Sequence, residues 1–306
     1  MNYTLHQLKI FLKISQVQSV TRASEELFLT QPAVSIQLKK FQEQFTVPLF
    51  EVVGRQLYIT DFGKEIAEAA EKIINQIEAI NYKTHTYHNE LAGRLKISVV
   101  STGKYVMPYF LSEFIRMHKG VDLVMDVTNK AQVIKSLEQN EVDFSLVSVL
   151  PEQLKIESKQ LLSNKLFLVG SPVLNKDKKA TLKTLSSFPL ILREPGSATR
   201  KAMEEFMFNK SIYTAKKLEL TSNEAVKQAV IAGLGYSIMP LIGLRNELKN
   251  GQLEILPIKG LPIITQWNLI WMKAKQLSPV AKAYLEFIDL KKSEIIEHQF
   301  GWYENY

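Results

Sequence analysis

Residues 19–42 read Ser-Val-Thr-Arg-Ala-Ser-Glu-Glu-Leu-Phe-Leu-Thr-Gln-Pro-Ala-Val-Ser-Ile-Gln-Leu-Lys-Lys-Phe-Gln, a pattern that predicts two short helices joined by a tight turn. Thr30 is suited to cap the second helix, its hydroxyl accepting a bond from an orphan backbone N–H. Gln31 and Pro32 then fall in the first turn, where proline's missing N–H costs nothing. Val34, Leu38 and Phe41 recur at i, i+4 and i+7 and form a stripe for burial. The opposite face carries Pro32, Ser35, Ile36 and Lys39, flanked by Ala33 and Lys40. Such a face suits a DNA major groove. Small residues permit close approach, Ser and Gln can bond base edges, and Ile36 can touch a thymine methyl. An ordinary helical pair in a core produces a similar pattern, so the stretch alone favours DNA only modestly.

The flanking sequence extends the same reading. A first helix is expected over about Leu5–Gln16, with Leu5, Leu8, Phe11 and Leu12 facing inward. An extended segment, Leu49–Thr60, is broken by Gly54; this order suggests a winged helix-turn-helix, with Arg55 at the wing tip and Arg22 on the second helix beside phosphates. Residues 61–90 predict one long helix whose stripe of Phe62, Ile66, Ala69, Ile73, Ile77 and Ile80 is suited to dimerise. Two-fold pairing then sets two recognition helices on successive half-sites, and Gly93 marks a hinge.

Size and charge bound the remaining possibilities. With 306 residues and 46% hydrophobic content, more than one domain with a full core is expected. The absence of cysteine excludes disulfides, thiolate metal sites and cysteine nucleophiles. No signal-peptide pattern or membrane-length apolar run is visible, so a soluble cytoplasmic protein is expected. The net charge is +7, yet residues 1–60 hold six Lys/Arg against four Asp/Glu and residues 61–90 hold three against six. Most of the surplus thus lies beyond the helical pair, where it favours solubility first and an anionic small molecule second.

From Arg94 the texture alternates. Strands are expected at Leu95–Val100, Val121–Val127, Asp143–Val149, Leu166–Val169, Leu190–Leu192, Leu218–Leu220, Tyr236–Met239 and Trp267–Met272. Helices are expected near Tyr105–His118, Gln132–Asn140, Thr199–Phe208 and Asn223–Ala232. That alternation implies an α/β sheet with ligands at the carboxyl ends of its strands. The aromatic tail from Phe300 to Tyr306 has no assignment from sequence.

In this order of elements the chain resembles the LysR-type transcriptional regulators. Leu5, Leu8 and Phe11, then Ser19, Arg22 and Ala23, match the family's first two helices, and Thr30-Gln31-Pro32-Ala33-Val34-Ser35 is the most diagnostic run. Leu49-Phe50, Gly54-Arg55, Leu57, Thr60 and Gly63 complete the match. The runs at 100–105, 192–200 and 222–235, with Gly260-Leu261-Pro262-Ile263 and Leu277-Ser278-Pro279, resemble the subgroup that regulates carbon-fixation (RuBisCO) operons. The resemblance covers roughly residues 3–290. It implies an α+β multidomain chain: a winged helix-turn-helix over 1–60, a linker and dimerisation helix over 61–90, and an effector domain of the periplasmic-binding-protein type over 91–306. Lobe I of that domain is expected at about 91–162 and 266–306, lobe II at about 163–265. A tetramer, formed as a dimer of dimers, is implied, with promoter DNA and RNA polymerase as partners. Three positions depart from the pattern. Thr46 replaces the glycine that usually follows the recognition helix, so a different turn is expected; Val52 stands where the wing often has arginine; and Val147–Pro151 lacks the subgroup's arginine and paired prolines.

Three expected helix starts carry hydroxyls: Ser101-Thr102, Ser197 to Thr199, and Ser222. Helix N-termini favour anions, because unpaired N–H groups and the macrodipole both face the ligand. Lys104, Arg193 and Arg200 add charge-assisted donors for a carboxylate or phosphate. Any one hydroxyl is more simply a helix cap; with the family resemblance, which places the effector between the lobes, they become site candidates. Asn223, Thr128 and Ser148 complete the expected set. No cofactor or catalytic group is expected. His85 and His88 lack a third metal ligand, Gly233-Leu234-Gly235 lacks the third glycine of a dinucleotide loop, Ser237 lacks a nucleophile-elbow glycine, and Asp122 and Asp126 read as structural. The expectation is therefore a ligand-responsive regulator in which Gln31, Pro32, Ala33, Ser35, Ile36 and Lys39 read bases. The rival is a two-lobed binding protein or enzyme whose N-terminal helices serve only assembly.

Overall fold

Thr4 opens the first helix, α1 (Leu5–Val17), through a reciprocal capping box with Gln7. Ser19 caps α2 (Val20–Glu26), its hydroxyl accepting the Arg22 N–H at 3.2 Å. The third helix, α3 (Gln31–Gln42), starts at Thr30 with the extended backbone of a cap, but the Thr30 hydroxyl makes no capping bond. Phe28, in the turn between α2 and α3, adopts a left-handed φ of 55°, whereas Thr46 is not among the positive-φ residues. The backbone at Thr46 therefore avoids the left-handed region that a glycine would favour.

In this computed structural model, residues 2–54, 56–86, 91–174, 189–213 and 216–306 are described. The chain divides into two compact units, Met1–Gly93 and Arg94–Tyr306. In the first, Ile10, Ile14, Ala23 and Val34 form one small core, and Leu8, Phe11, Phe41, Leu49 and Ala70 another, with Leu38 half-buried between them. Phe41 has ring neighbours in Phe11 at 4.9 Å and Phe45 at 5.1 Å. Strands β1 (Phe50–Val53) and β2 (Gln56–Ile59) pair antiparallel as the wing, which turns at Gly54 with φ 66°. Arg55 lies outside the described residues. The long helix α4 (Asp61–Thr86) begins against Leu49, where a Cβ on Gly63 would lie 2.1 Å from the Leu49 carbonyl oxygen. Its first turns bury Phe62, Ile66, Ala67 and Ala70 on the small core. Ala69 and Ile73, expected on the same stripe, lie clear of that core and are exposed, Ile73 by 41%. The His85–His88 pair falls outside the described side chains.

Strand β3 (Ala92–Val100), with Gly93 at φ 137°, leads from the first unit into the second. After a single turn, Gly103–Tyr105, come α5 (Met107–Met117), β4 (Gly120–Thr128), α6 (Lys130–Glu138) and β5 (Phe144–Val147). There follow β6 (Ile156–Gly170), β7 (Leu190–Arg193), α7 (Ala198–Asn209), β8 (Lys217–Leu220), α8 (Asn223–Ile231) and β9 (Ser237–Pro240). The chain ends through α9 (Arg245–Lys249), β10 (Glu254–Ile255), β11 (Ile263–Met272) and α10 (Pro279–Phe300). One sheet runs β10-β6-β11-β5-β3-β4, with β9 also on β6, and β7 pairs parallel with β8.

Two lobes result. One centres on parallel β3 and β5; the other on a core including Leu166, Leu190, Leu192, Met203, Phe206, Tyr236 and Ile238. Antiparallel β6 and β11 run through both. The sequence reading of β6 as Leu166–Val169 is too short, because the polar stretch Glu157–Gln160 is held by ladder bonds to β11 rather than by apolar burial. Helix α10 was not anticipated; Ser278 caps it and Pro279 opens it. The aromatic tail finds its place here. Phe300 packs on Tyr109 and Phe110, Tyr303 is buried, and Lys165 Nζ donates to its carbonyl at 3.1 Å. Among the described residues, no helix is long and apolar enough to cross a membrane.

Candidate functional site

On the first unit, α3 turns Val34 and Phe41 inward and so presents Gln31, Pro32, Ala33, Ser35, Ile36, Lys39 and Lys40 outward. Ile36 is 54% exposed. Thr30 is exposed at the start of this face. Arg22 is exposed on α2, and its Nε donates to Glu26 at 3.1 Å. Glu26 also accepts from Lys13 at 3.0 Å; burial pushes its carboxyl up, but Lys13 and Arg22 together hold it below the usual range. Arg22 thus brings to any phosphate a charge already shared with a neighbour.

In the second unit, the carboxyl ends of three strands converge. Ser101 and Thr102 follow β3, Ser148 follows β5, and Arg193 ends β7. With Ser197, Thr199, Asn129, Lys130 and Glu194 they line a cavity of about 20 Å³, room for about one water molecule. Parallel β3 and β5 deliver Ser101, Thr102 and Ser148 to one edge of their sheet, and Arg193 comes from the end of β7 in a separate sheet. Ser197 caps α7, its hydroxyl accepting the Arg200 N–H at 3.4 Å, and Asn129 caps α6 by accepting from Gln132. Arg193 is buried, donating twice to Glu194 and once to Asn223. Burial, followed by the nearby Lys201 ammonium, lowers the Lys130 pKa.

Four expected site residues lie elsewhere. Lys104 Nζ sits 5.1 Å from the Tyr105 ring centre and does not line the cavity. Thr128 ends β4 outside the lining. Asn223 reaches the site only through Arg193. Arg200 faces a neighbouring groove of about 630 Å³; its guanidinium bonds Glu204, Glu219 and the Arg193 carbonyl, and the two carboxylates raise its pKa. The constellations set aside on sequence are structural: Ser237 is buried and donates to the Ile191 carbonyl at 2.7 Å, and a Cβ on Gly235 would meet the Pro189 carbonyl oxygen at 2.2 Å. Among the described residues, no cluster of acidic or histidine side chains is suited to hold a metal.

The bacterial regulatory helix-turn-helix model of the lysR family matches residues 5–64, and the LysR substrate binding domain model matches residues 88–291. The chain belongs to the LysR family. It is a LysR-type transcriptional regulator, with a DNA-binding helix-turn-helix and a two-lobed effector domain. It is similar to the HTH-type transcriptional activator CmpR of Synechocystis sp. PCC 6803, 37% identical over 94% of this chain and 95% of that one. It is also similar to the RuBisCO operon transcriptional regulator of Allochromatium vinosum, 34% identical over 94% and 96%. Its effector domain resembles the Synechocystis PCC6803 CcmR regulatory domain in complex with 2-PG (2-phosphoglycolate), at 32% identity and a TM-score of 0.61, over 65% of this chain and 97% of that one. A binding module without a DNA-reading role is not favoured, and the homologues are regulators rather than enzymes.

Sequence reasoning about this LysR regulator missed Asn129, Lys130 and Glu194. Asn129 carried a usable signal, since a capping residue directly after an expected strand is the same feature that singled out Ser101 and Ser197. Lys130 and Glu194 carried none beyond adjacency to such positions.

Proposed function

We propose that this regulator responds to a small phosphate- or carboxylate-bearing effector bound between its lobes. The single observation that carries this is the convergence in one cavity of Ser101, Thr102, Ser148 and Arg193 from the ends of β3, β5 and β7 with Lys130, Ser197 and Thr199 from the starts of α6 and α7. Hydroxyls, capping positions and two cations together suit an anion. The 2-PG held by the CcmR domain supports the same ligand class here.

Gln31, Pro32, Ala33, Ser35, Ile36 and Lys39 read the major groove, Thr30 seats the start of the helix, and Arg22 and Arg55 engage phosphates. The assignment of 1–60 to DNA, 61–90 to pairing and 91–306 to the effector rests on the same ground. Exposed Ile73 on α4 supports pairing through that helix, leading to a dimer of dimers that acts with RNA polymerase in the cytoplasm, without catalysis. Effector binding biases the assembly toward one arrangement by its difference in affinity for the two.

Fluorescence anisotropy on the chain's own upstream DNA, with competitor duplex and with or without 2-phosphoglycolate, tests the whole reading. Selective binding that shifts with the ligand is expected. Equal binding to random duplex removes the DNA assignment; selective binding indifferent to small anions removes the effector class.

A further inference from the structure

Arg193 meets the cavity with its binding geometry already in use. Its guanidinium is only 5% exposed, and Nε and Nη2 each donate to a separate Glu194 carboxylate oxygen at 2.7 Å. That two-bond fork is the arrangement by which arginine takes up a carboxylate or phosphate. Glu194 lines the same cavity, whose volume of about 20 Å³ holds little more than one water molecule. An entering anion therefore needs both a partner and space, and Glu194 occupies both.

We propose that Glu194 is a resident anion, a carboxylate of the chain that fills the place of the effector on Arg193 and is exchanged for the effector's anionic group on binding. This rests on the reading of the cavity as the effector site. The exchange conserves bonds: two charge-assisted hydrogen bonds to Glu194 break and two to the ligand form. The buried guanidinium is paired in both states, which matters because a buried charge stripped of its partner is costly. Glu194 can leave, since its side chain remains 17% exposed.

Other cations do not relieve the competition. Arg200 is engaged by Glu204 and Glu219 and faces the neighbouring groove, which leaves Lys130 as the second cation lining the cavity among the described residues. With Glu194 in place the lining carries one net positive charge; with Glu194 displaced it carries two. A neutral ligand offers nothing in return for the displaced carboxylate. A monoanion replaces it one for one, and a dianion such as a phosphate monoester satisfies both Arg193 and Lys130. The exchange accordingly selects small ligands that carry two or more negative charges.

Isothermal titration of the full chain with 2-phosphoglycolate tests this in wild type, Glu194→Gln, Glu194→Ala and the control Glu138→Gln, which removes a charge from the adjacent groove. Both Glu194 variants are expected to bind about tenfold tighter or more, and the control to stay within about twofold. Ligand-free Glu194 variants should also melt below wild type and recover with ligand. Wild-type binding that the Glu194 variants leave unchanged or weaken overturns the proposal alone. A control that tightens equally overturns it too, by showing a general charge effect. Absence of binding by every protein overturns the reading of the cavity and the proposal with it. Independently of any variant, a wild-type complex in which Glu194 still grips Arg193 overturns it.

Discussion

On α3 the groups assigned to base reading, Ser35, Ile36 and Lys39, stand exposed, whereas in the cavity Arg193 is bonded to Glu194 and Asn223 and Ser197 to its own helix. The first surface needs no rearrangement before it meets a ligand; the second must exchange internal bonds for external ones. That contrast suits their tasks. A reader that must find its site among many benefits from a rigid, preformed face, while a sensor gains response by having two states close in energy.

The comparison can be broken most forcefully at Phe41. Replacing this fully buried ring with alanine should cost the first unit about 3–5 kcal/mol and abolish DNA binding, with 2-phosphoglycolate affinity of the full chain kept within about twofold; joint loss of both would show that the units do not act separately. Arg193→Ala comes next. It strands the Glu194 carboxylate at a cost of about 2 kcal/mol, less than for a fully buried pair because Glu194 reaches solvent. Effector response should vanish while basal DNA affinity stays, as anisotropy titrations will show. Ser35→Ala should lower discrimination at one base position by about 1–2 kcal/mol and leave the melting temperature unmoved; an unaltered operator preference removes Ser35 from direct readout. Arg55→Ala should weaken binding to all sequences alike and flatten the salt dependence by about one phosphate. The smallest effect concerns Glu26, whose folded pKa lies below the ordinary 4.5. Its contribution to stability is present above that value and fades as pH falls below it; Glu26→Gln should flatten the acid limb of a pH–stability curve, and an identical curve rules the contribution out.

Sequence alone carried the DNA-facing half further than the effector half, for a physical reason. Val34 and Phe41 point inward at helical spacing, so the exposed face of α3 follows from arithmetic. Cavity residues come from segments nearly a hundred positions apart, and only their chemistry at strand ends marks them. Ser101, Thr102, Ser148, Arg193, Ser197 and Thr199 carried that mark and meet. Lys104, Thr128 and Arg200 carried it too, but Lys104 sits over Tyr105, Arg200 bonds Glu204 and Glu219, and Thr128 does not line the cavity. Glu194 was invisible because nothing in a carboxylate beside an arginine tells whether the two will pair. The Thr30 hydroxyl, expected as a cap, makes no such bond, because residue type does not fix the rotamer that would make it. The polar half of β6 and the whole of α10 escaped because neither shows a clean apolar period.

The paired ribbon of β6 and β11 carries one irregularity. Trp267 faces Leu162 and Asn268 faces Gln160, so Leu161 has no partner across the ladder. An extra residue of this kind bends and twists a strand locally. Any swing of one lobe against the other will concentrate its distortion at that point, as a notch does in a loaded beam. Amides beside Leu161 are therefore where hydrogen exchange will register the swing first, and where a substitution can stiffen the response while leaving both binding surfaces intact.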